Sequence, residues 1–338
     1  MTGMTDSGGA LDHGSATSAA FAPTGAFAPN GAFALLPESA SLHEAARFQE
    51  AELSDWFALL KPRVMSLVVF TGLIGLLVAP GHLHPVLAFT AVLCIAVGAG
   101  ACGAINMWYD RDIDALMRRT RNRPIPAGRI APGEALGFGI TLAVASVLVM
   151  GLAVNTTAAT VLALSIGFYV FVYTMWLKRR TPQNIVIGGA AGAAPPVLGW
   201  VAVTNHVDPQ ALLLFLIIFA WTPPHFWALA IARRHDYAKA DIPMLPVTHG
   251  VEFTRLHVLL YTVLLCVITL LPYMTGMSGL IYLAAAVLLN GRFLWHAIAL
   301  KFAPRDEQPM RMFRFSITYL MWLFLALLLD HYLPTTLS

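Results

Sequence analysis

The sequence has 338 residues, of which 58% are hydrophobic and 12% are charged, and its formal net charge is +3. Soluble domains carry about 25% charged residues, so this composition excludes an ordinary soluble protein and indicates a polytopic protein of the lipid bilayer. It gives no support for nucleic-acid binding, because the net charge is small and the main arginine cluster is a short segment between apolar runs.

The first 60 residues differ from the rest of the chain. Residues 1–37 are rich in Ala, Gly, Ser, Thr and Pro, and we expect a disordered N-terminal extension there. No Lys or Arg precedes Arg47, which argues against a signal peptide. Residues 38–60 begin near a capping-box pattern and carry an apolar side, so they predict an amphipathic interfacial helix. Residues 61–338 are predicted to form the transmembrane domain.

Nine apolar segments follow, and each is long enough to cross a bilayer. The predicted fold class is therefore all-α, a polytopic membrane protein with about nine transmembrane helices. The segments are residues 62–80, 85–107, 132–153, 158–177, 184–203, 210–231, 254–274, 279–300 and 312–331.

The fifth of these segments, residues 184–203, is the least regular. It contains several glycines and the pair Pro195-Pro196. Small residues let membrane helices approach closely, and proline can kink a helix. Helix packing and a role in substrate binding both remain open for this segment.

The basic residues predict the orientation in the membrane. No Lys or Arg occurs in the connections 81–84, 154–157, 204–209 and 275–278, or in the tail after the last segment. Basic connections lie on the cytoplasmic side. We therefore expect the N-terminus and all basic loops to be cytoplasmic and the C-terminus to be outside, in a multi-pass protein of the cell inner (plasma) membrane.

A row of polar residues ends the second segment. Asn106, Asp110 and Asp114 recur every four residues, which places them on one helix face, whereas Asp112 falls on the opposite face. Carboxylates at this spacing repel each other unless a cation joins them, and Mg²⁺ prefers oxygen ligands shared with substrate phosphates. The pattern indicates a Mg²⁺-dependent phosphate site. The alternative is a solvated loop in which acids and bases merely pair.

Basic side chains next to this row suit a polyanionic phosphate. Arg118, Arg119 and Arg123 are the candidates in the same loop, and Lys178 follows the fourth segment.

A second polar region, residues 221–250, adds further candidates. Asp236 and Asp241 could form a second set of acids, and Lys239 could contact a phosphate. His225 lies within the sixth segment, and ionisable residues at membrane depth are costly and usually functional. A structural histidine, hydrogen-bonded to a neighbouring helix, is the alternative.

Several motifs together resemble the UbiA family of intramembrane prenyltransferases, over residues 60 to 250 and, by the number of helices, to the C-terminus. The resemblance implies helices around a central cavity that holds the prenyl tail. The motifs are the Asn106-x-x-x-Asp110-x-x-x-Asp114 row, Leu60-Lys61-Pro62-Arg63, the Arg119–Pro126 run, Pro182–Gly189, Pro224–Leu229 and Asp236–Val247.

The resemblance also implies roles for the candidate residues. Asp110, Asp114 and Asp236 would bind Mg²⁺, and Asn106 would orient the diphosphate. The candidate basic residues named above, including Lys239, would neutralise it. The wider family's second motif is Asp-x-x-x-Asp, but Ala240 occupies the position of its second acid here, which leaves Asp241 doubtful as a metal ligand.

Within the family, the Pro224–Leu229 and Asp236–Val247 motifs resemble members that transfer farnesyl from farnesyl diphosphate to haem b. His225 and Trp227 would then contact the haem, and a haem A synthase would be a partner protein. The alternative substrate is the aromatic ring of a quinone precursor. A transporter or haem-carrying subunit fits poorly, because the acids cluster on one side of the membrane and no pair of histidines suggests bis-axial ligation.

Overall fold

The computed structural model describes residues 51–333, and all the regular secondary structure within them is helical. This confirms the all-α prediction. The predicted disordered extension at 1–37 and the first part of the predicted interfacial helix at 38–60 lie outside the described residues. Within its last part, residues Leu53–Leu59 form a short helix, and the predicted position at the membrane surface stays a prediction.

Fourteen helical elements follow one another along the described residues. Two of them continue as π-helix: the fifth through Met150–Val154 and the sixth through Phe168–Leu177. The elements are α1 Leu53–Leu59, α2 Pro62–Leu77, α3 Pro85–Tyr109, α4 Arg111–Leu116, α5 Pro132–Val149, α6 Thr156–Gly167, α7 Asn184–Thr204, α8 Pro209–Ala232, α9 Arg234–Lys239, α10 Leu245–Thr248, α11 Val251–Ile268, α12 Leu271–Met274, α13 Leu280–Phe302 and α14 Gln308–Tyr332.

The prediction of about nine spans is confirmed. Eight helices of residues 51–333 are long and apolar enough to cross a membrane, and α2 provides a ninth together with α1, from which it is bent by 54°. Several spans begin with proline at the first helical turn, for example at Pro85, Pro132 and Pro209. Proline suits that position because its missing N–H would have no partner within the helix.

Close packing of α2 against α7 explains part of the glycine content of the fifth span. A Cβ on Gly199 would lie 2.0 Å from the Gly72 carbonyl oxygen, and one on Gly75 would lie 2.1 Å from the Pro196 carbonyl oxygen. The two backbones therefore touch where only glycine fits. Gly192 differs, because a Cβ there would meet no atom within 4 Å.

Three chain segments meet at the basic side of the molecule. They are the turn between α1 and α2, the end of α3 with the following α4, and the π-helical end of α6. The amide of Lys178 donates to the Tyr173 carbonyl, five residues earlier, at 3.0 Å. This wide turn fixes where Lys178 leaves the helix, at a type of irregularity that is frequent near functional sites.

Candidate active site

Asn106 is the polar centre of the site. Its side chain is 4% exposed. Its Nδ2 donates to Asp110 Oδ2 at 2.8 Å and to Thr174 Oγ1 at 3.2 Å, and its Oδ1 accepts from Lys61 Nζ at 2.6 Å. The amide thus joins α3, the end of α6 and the turn before α2, so that all three segments are held around one point.

Lys61 belongs to the Leu60-Lys61-Pro62-Arg63 motif of the resemblance, but the motif alone predicts no role for it at the site. It has a positive φ of 52° in the turn between α1 and α2, where the following Pro62 disfavours ordinary helical backbone. Desolvation lowers the pKa of its ammonium group to about 7, and the nearby cations Arg123 and Lys178 act in the same direction, against the acids Asp114 and Asp110.

Asp110 is the most deeply placed acid of the row. It is 0% exposed, and its Oδ2 accepts from Asn106 and from Lys178 Nζ. Its Oδ1 is buried without a hydrogen-bond partner, and the nearest guanidinium nitrogen, of Arg179, is 3.7 Å away. An unpaired buried carboxylate oxygen is costly. The atom is therefore suited to a cation.

Asp114 lies one helical turn further, in α4. It is 3% exposed, and its Oδ2 accepts from Arg123 Nη1 at 2.6 Å. Its amide donates to the Asp110 carbonyl at 2.8 Å, and its own carbonyl accepts from the Thr120 hydroxyl at 2.9 Å. These contacts fold the arginine-rich loop back over the acids, as charge neutralisation of a buried carboxylate requires.

Asp112 lies on the exposed side of the same segment, as its spacing predicts. Its carboxylate makes two hydrogen bonds with Arg179, of 2.7 and 2.8 Å. The Arg179 hydrogen bond holds the pKa of the Asp112 carboxyl below its usual range, and the same bond raises the pKa of the guanidinium. Arg179 is a contact residue that the sequence did not single out.

A cavity of about 570 Å³ adjoins Asp236. Arg118, Arg121 and Lys239 line it together with Asp236 and two apolar residues of α4. Two of these basic residues, Arg118 and Lys239, are sequence candidates, whereas Arg119 is exposed on the same loop. Four charged residues from two loops far apart in sequence therefore share one opening.

Asp241 does not line this cavity. It is exposed and has a φ of 52°, whereas Ala240, at the position of the family's second acid, is buried. Across residues 51–333, no three side chains of His, Cys, Asp or Glu form a ready-made metal site. The structure therefore does not gather Asp236 or Asp241 with the acids of the row into one ligand set.

The site nevertheless fits Mg²⁺ held jointly with a substrate. Magnesium is usually bound through one or two carboxylates, with waters and substrate phosphates completing its octahedron. The unpaired Oδ1 of Asp110 is the protein oxygen that such an ion would satisfy. Arg123 already pairs with Oδ2 of Asp114, and Lys178 pairs with Oδ2 of Asp110.

His225 and Trp227 face different neighbours. The His225 Nδ1 lies 2.6 Å from the Ser316 hydroxyl of α14, and its ring stacks between Trp221 and Phe313 at centroid distances of 4.2 and 4.6 Å. His225 thus joins α8 to α14.

Trp227 is directed toward α11. It is 1% exposed and packs edge-on against His257 and Tyr261, and its indole N–H is buried without a hydrogen-bond partner. A buried donor of this kind normally has a partner.

Comparison with known proteins agrees with this geometry. A model of the UbiA prenyltransferase family matches residues 68–328. The protoheme IX farnesyltransferase of Granulibacter bethesdensis is 60% identical over 291 residues, which cover 83% of this chain and 92% of that protein.

Solved structures with little sequence identity share the fold. A digeranylgeranylglyceryl phosphate synthase matches with a TM-score of 0.70 at 19% identity, over 82% of this chain and 98% of its own. A UbiA homologue from Archaeoglobus fulgidus, solved with GPP and Mg²⁺, matches with a TM-score of 0.55 at 16% identity, over 81% and 99%. At these identities, the likeness shows the fold alone.

Proposed function

The chain belongs to the UbiA prenyltransferase family, and we infer that it is the enzyme that farnesylates haem b: it transfers farnesyl from farnesyl diphosphate to a vinyl group of haem b. The products are haem O and diphosphate. The observation that carries this function is the 60% identity to a protoheme IX farnesyltransferase over 92% of that relative's length. The arrangement of acids and cations around Asn106 supports the chemistry.

The reaction separates a poor leaving group from an allylic carbon. The bond between C1 of farnesyl and the diphosphate oxygen breaks, and the electron pair leaves with the oxygen. The vinyl π electrons form the new carbon–carbon bond to C1, water adds to the cation left next to the porphyrin, and a proton is released. The protein's task is to stabilise charge on the departing diphosphate.

We propose that Asp110 and Asp114 hold Mg²⁺ together with the diphosphate, and that Asp236, which lines the adjoining cavity, joins a metal site only once the diphosphate bridges the two. Asp241 has no part in it. When bound, the ion supplies positive charge to the leaving oxygens. Asn106 keeps Asp110 oriented through its 2.8 Å hydrogen bond, and leaves Oδ1 of that carboxylate free for the ion.

The diphosphate oxygens are neutralised by the basic residues of the two loops. Lys178 and Arg123 sit on the acids of the row, from which they can turn to phosphate oxygens. Arg118 and Lys239 line the opening beside Asp236, and Arg119 lies on the same loop. Lys61, whose ammonium group donates to the Asn106 side chain, adds a further cation.

Aromatic faces shield the allylic cation in this proposal. The rings of Tyr169 and Tyr173 lie 5.2 Å apart on the π-helical segment that leads to Lys178, and a positive centre is attracted to such faces.

His225 has the structural role, because Ser316 and the stacked rings of Trp221 and Phe313 fix it between α8 and α14. On the acceptor side, we assign Trp227 to haem. The unpaired indole N–H of Trp227 supports this, since an acceptor carrying carboxylates could satisfy it.

The chain is a multi-pass membrane protein. We propose that it lies in the cell inner membrane with its basic loops in the cytoplasm, and that residues 61–338 form the catalytic domain. A haem A synthase is a reasonable partner, because it would consume haem O.

The test of this function is mass spectrometry of the haems extracted from cells that express the protein. The proposal requires a haem whose mass exceeds that of haem b by one farnesyl group and one hydroxyl group. Cells expressing Asp110→Asn serve as the control. Unchanged haems together with a prenylated hydroxybenzoate would favour the quinone-precursor alternative instead.

A further inference from the structure

Arg179 connects two loops that are far apart in sequence. Its Nη1 donates to Asp112 Oδ2 at 2.8 Å and its Nη2 donates to Asp112 Oδ1 at 2.7 Å. This is the bidentate fork that guanidinium and carboxylate groups form, and it fixes orientation as well as distance. The contact ties the segment after α6 to the segment after α3.

Tyr109 completes the connection. Arg179 Nη2 also donates to the Tyr109 carbonyl at 3.0 Å, and the guanidinium carbon lies 4.8 Å from the centre of the Tyr109 ring. The Tyr109 hydroxyl in turn donates to the Met175 carbonyl at 3.2 Å, which returns to the helix that carries Arg179. The contacts form a closed ring between the two segments.

The ring encloses the contact that the proposed mechanism needs. Asp110 lies between Tyr109 and Asp112 in the chain, and Lys178 directly precedes Arg179. Lys178 Nζ donates to Asp110 Oδ2. Each partner of this ion pair is therefore next in sequence to a member of the ring: Asp110 follows Tyr109, and Lys178 precedes Arg179.

Asp112 has no place in the proposed catalytic machinery. Its side chain is 61% exposed and lies on the opposite side of the segment from Asp110 and Asp114. An ordinary exposed ion pair contributes little to stability. The Glu307–Arg311 pair is such a case, since it joins residues one helical turn apart and both side chains are exposed. The Asp112–Arg179 pair differs because it bridges 67 residues of chain.

We propose that Asp112 and Arg179 are positioning residues for the diphosphate site, which hold Lys178 and Asp110 in register without contacting the substrate. This proposal rests on the proposed function only for the identity of the diphosphate. It predicts that the two residues act as one unit, because each exerts its effect through the other.

The test measures binding of farnesyl diphosphate and Mg²⁺ to the purified protein without any haem. Asp112→Asn and Arg179→Gln should each weaken binding by about tenfold, as is usual for residues that orient a metal-binding side chain. The double variant should be no weaker than the worse single variant, since one interaction is lost in all three. Glu307→Gln and Arg311→Gln, the matched control pair, should change binding by less than about twofold.

Three results would overturn the proposal. Asp112→Asn with unchanged binding, beside a weakened Arg179→Gln, would mean that Arg179 acts without Asp112, either on the diphosphate itself or directly on Asp110 Oδ1, 3.7 Å away. If the fold-losses of affinity of the two single variants multiply in the double variant, Asp112 and Arg179 have independent roles. A lowered unfolding temperature with unchanged affinity per folded molecule would mean a purely structural pair. Because no acceptor is present, a failure of the haem assignment leaves each of these results interpretable.

Discussion

At the residue scale, the site depends on how a buried carboxylate is shared. Asp110 gives one oxygen to Asn106 and Lys178 and keeps the other unpaired. The four-residue spacing was sufficient to predict that Asn106 and Asp110 lie on one helix face, where they form a hydrogen bond. Lys61 and Arg179 could not be predicted in the same way, because their contacts span 45 and 67 residues and no local pattern encodes them.

The lowered pKa of Lys61 predicts a pH dependence of substrate binding. Below pH 7 the ammonium is charged and available to the diphosphate, whereas above pH 7 it is neutral in the free protein. A bound polyanion favours the charged form, so binding must then take up a proton. The dissociation constant for farnesyl diphosphate should rise above pH 7, by up to about tenfold per pH unit.

Lys61→Arg is the matched variant for this prediction. Arginine stays charged throughout the accessible pH range, so its binding curve, measured by isothermal titration between pH 6 and about pH 9, should lack that rise. Parallel curves for the two proteins would assign the pH dependence to another group.

At the element scale, helix length and apolarity were enough to place the spans, since the bilayer sets both. The π-helical end of α6 was not predictable, because the run Phe168–Leu177 is apolar and aromatic whichever helical hydrogen bonds it makes. Its effect is specific: it sets the position of Lys178. The bend between α1 and α2 was likewise not anticipated, although Lys61-Pro62 provides its local cause.

The contact of α2 with α7 predicts opposite outcomes for two glycines of one helix. Gly199→Ala should destabilise the protein by about 1–3 kcal/mol, the usual cost of overpacking, because its Cβ would overlap the Gly72 carbonyl oxygen. Gly192→Ala should be neutral or stabilising, because its Cβ has room and alanine favours a helix.

The measurement is the unfolding temperature of each variant in detergent, monitored as the loss of monodisperse protein on heating. Equal unfolding temperatures for Gly199→Ala and Gly192→Ala would contradict the close approach of α2 and α7.

At the scale of the whole molecule, the predicted orientation puts all chemically active loops on one side of the membrane. The structure brings the loops after α3, α6 and α8 into one region, which agrees with the charge pattern. Family membership follows from motifs spread over most of the chain. The acceptor does not follow from the acids, because the same charges would serve any prenyl diphosphate.

Reporter fusions test the orientation. A reporter fused after Ser338 should be active only if it is outside the cytoplasm, and one inserted in the loop at 232–253 should behave as cytoplasmic. The same reporter after residue 36 provides the control, and it should match the loop insertion. An inverted pattern would refute the cytoplasmic assignment of the site.

The central claim is that Asp110 and its neighbours activate farnesyl diphosphate for transfer to haem. The most direct measurement incubates purified protein with farnesyl diphosphate, Mg²⁺ and equal amounts of haem b and 4-hydroxybenzoate, and follows both products by mass spectrometry. We predict haem O from the wild type, none without Mg²⁺, and near-complete loss in Asp110→Asn, since losing a metal ligand costs several kcal/mol of barrier. A prenylated hydroxybenzoate with no haem O, or a fully active Asp110→Asn protein, would contradict the account.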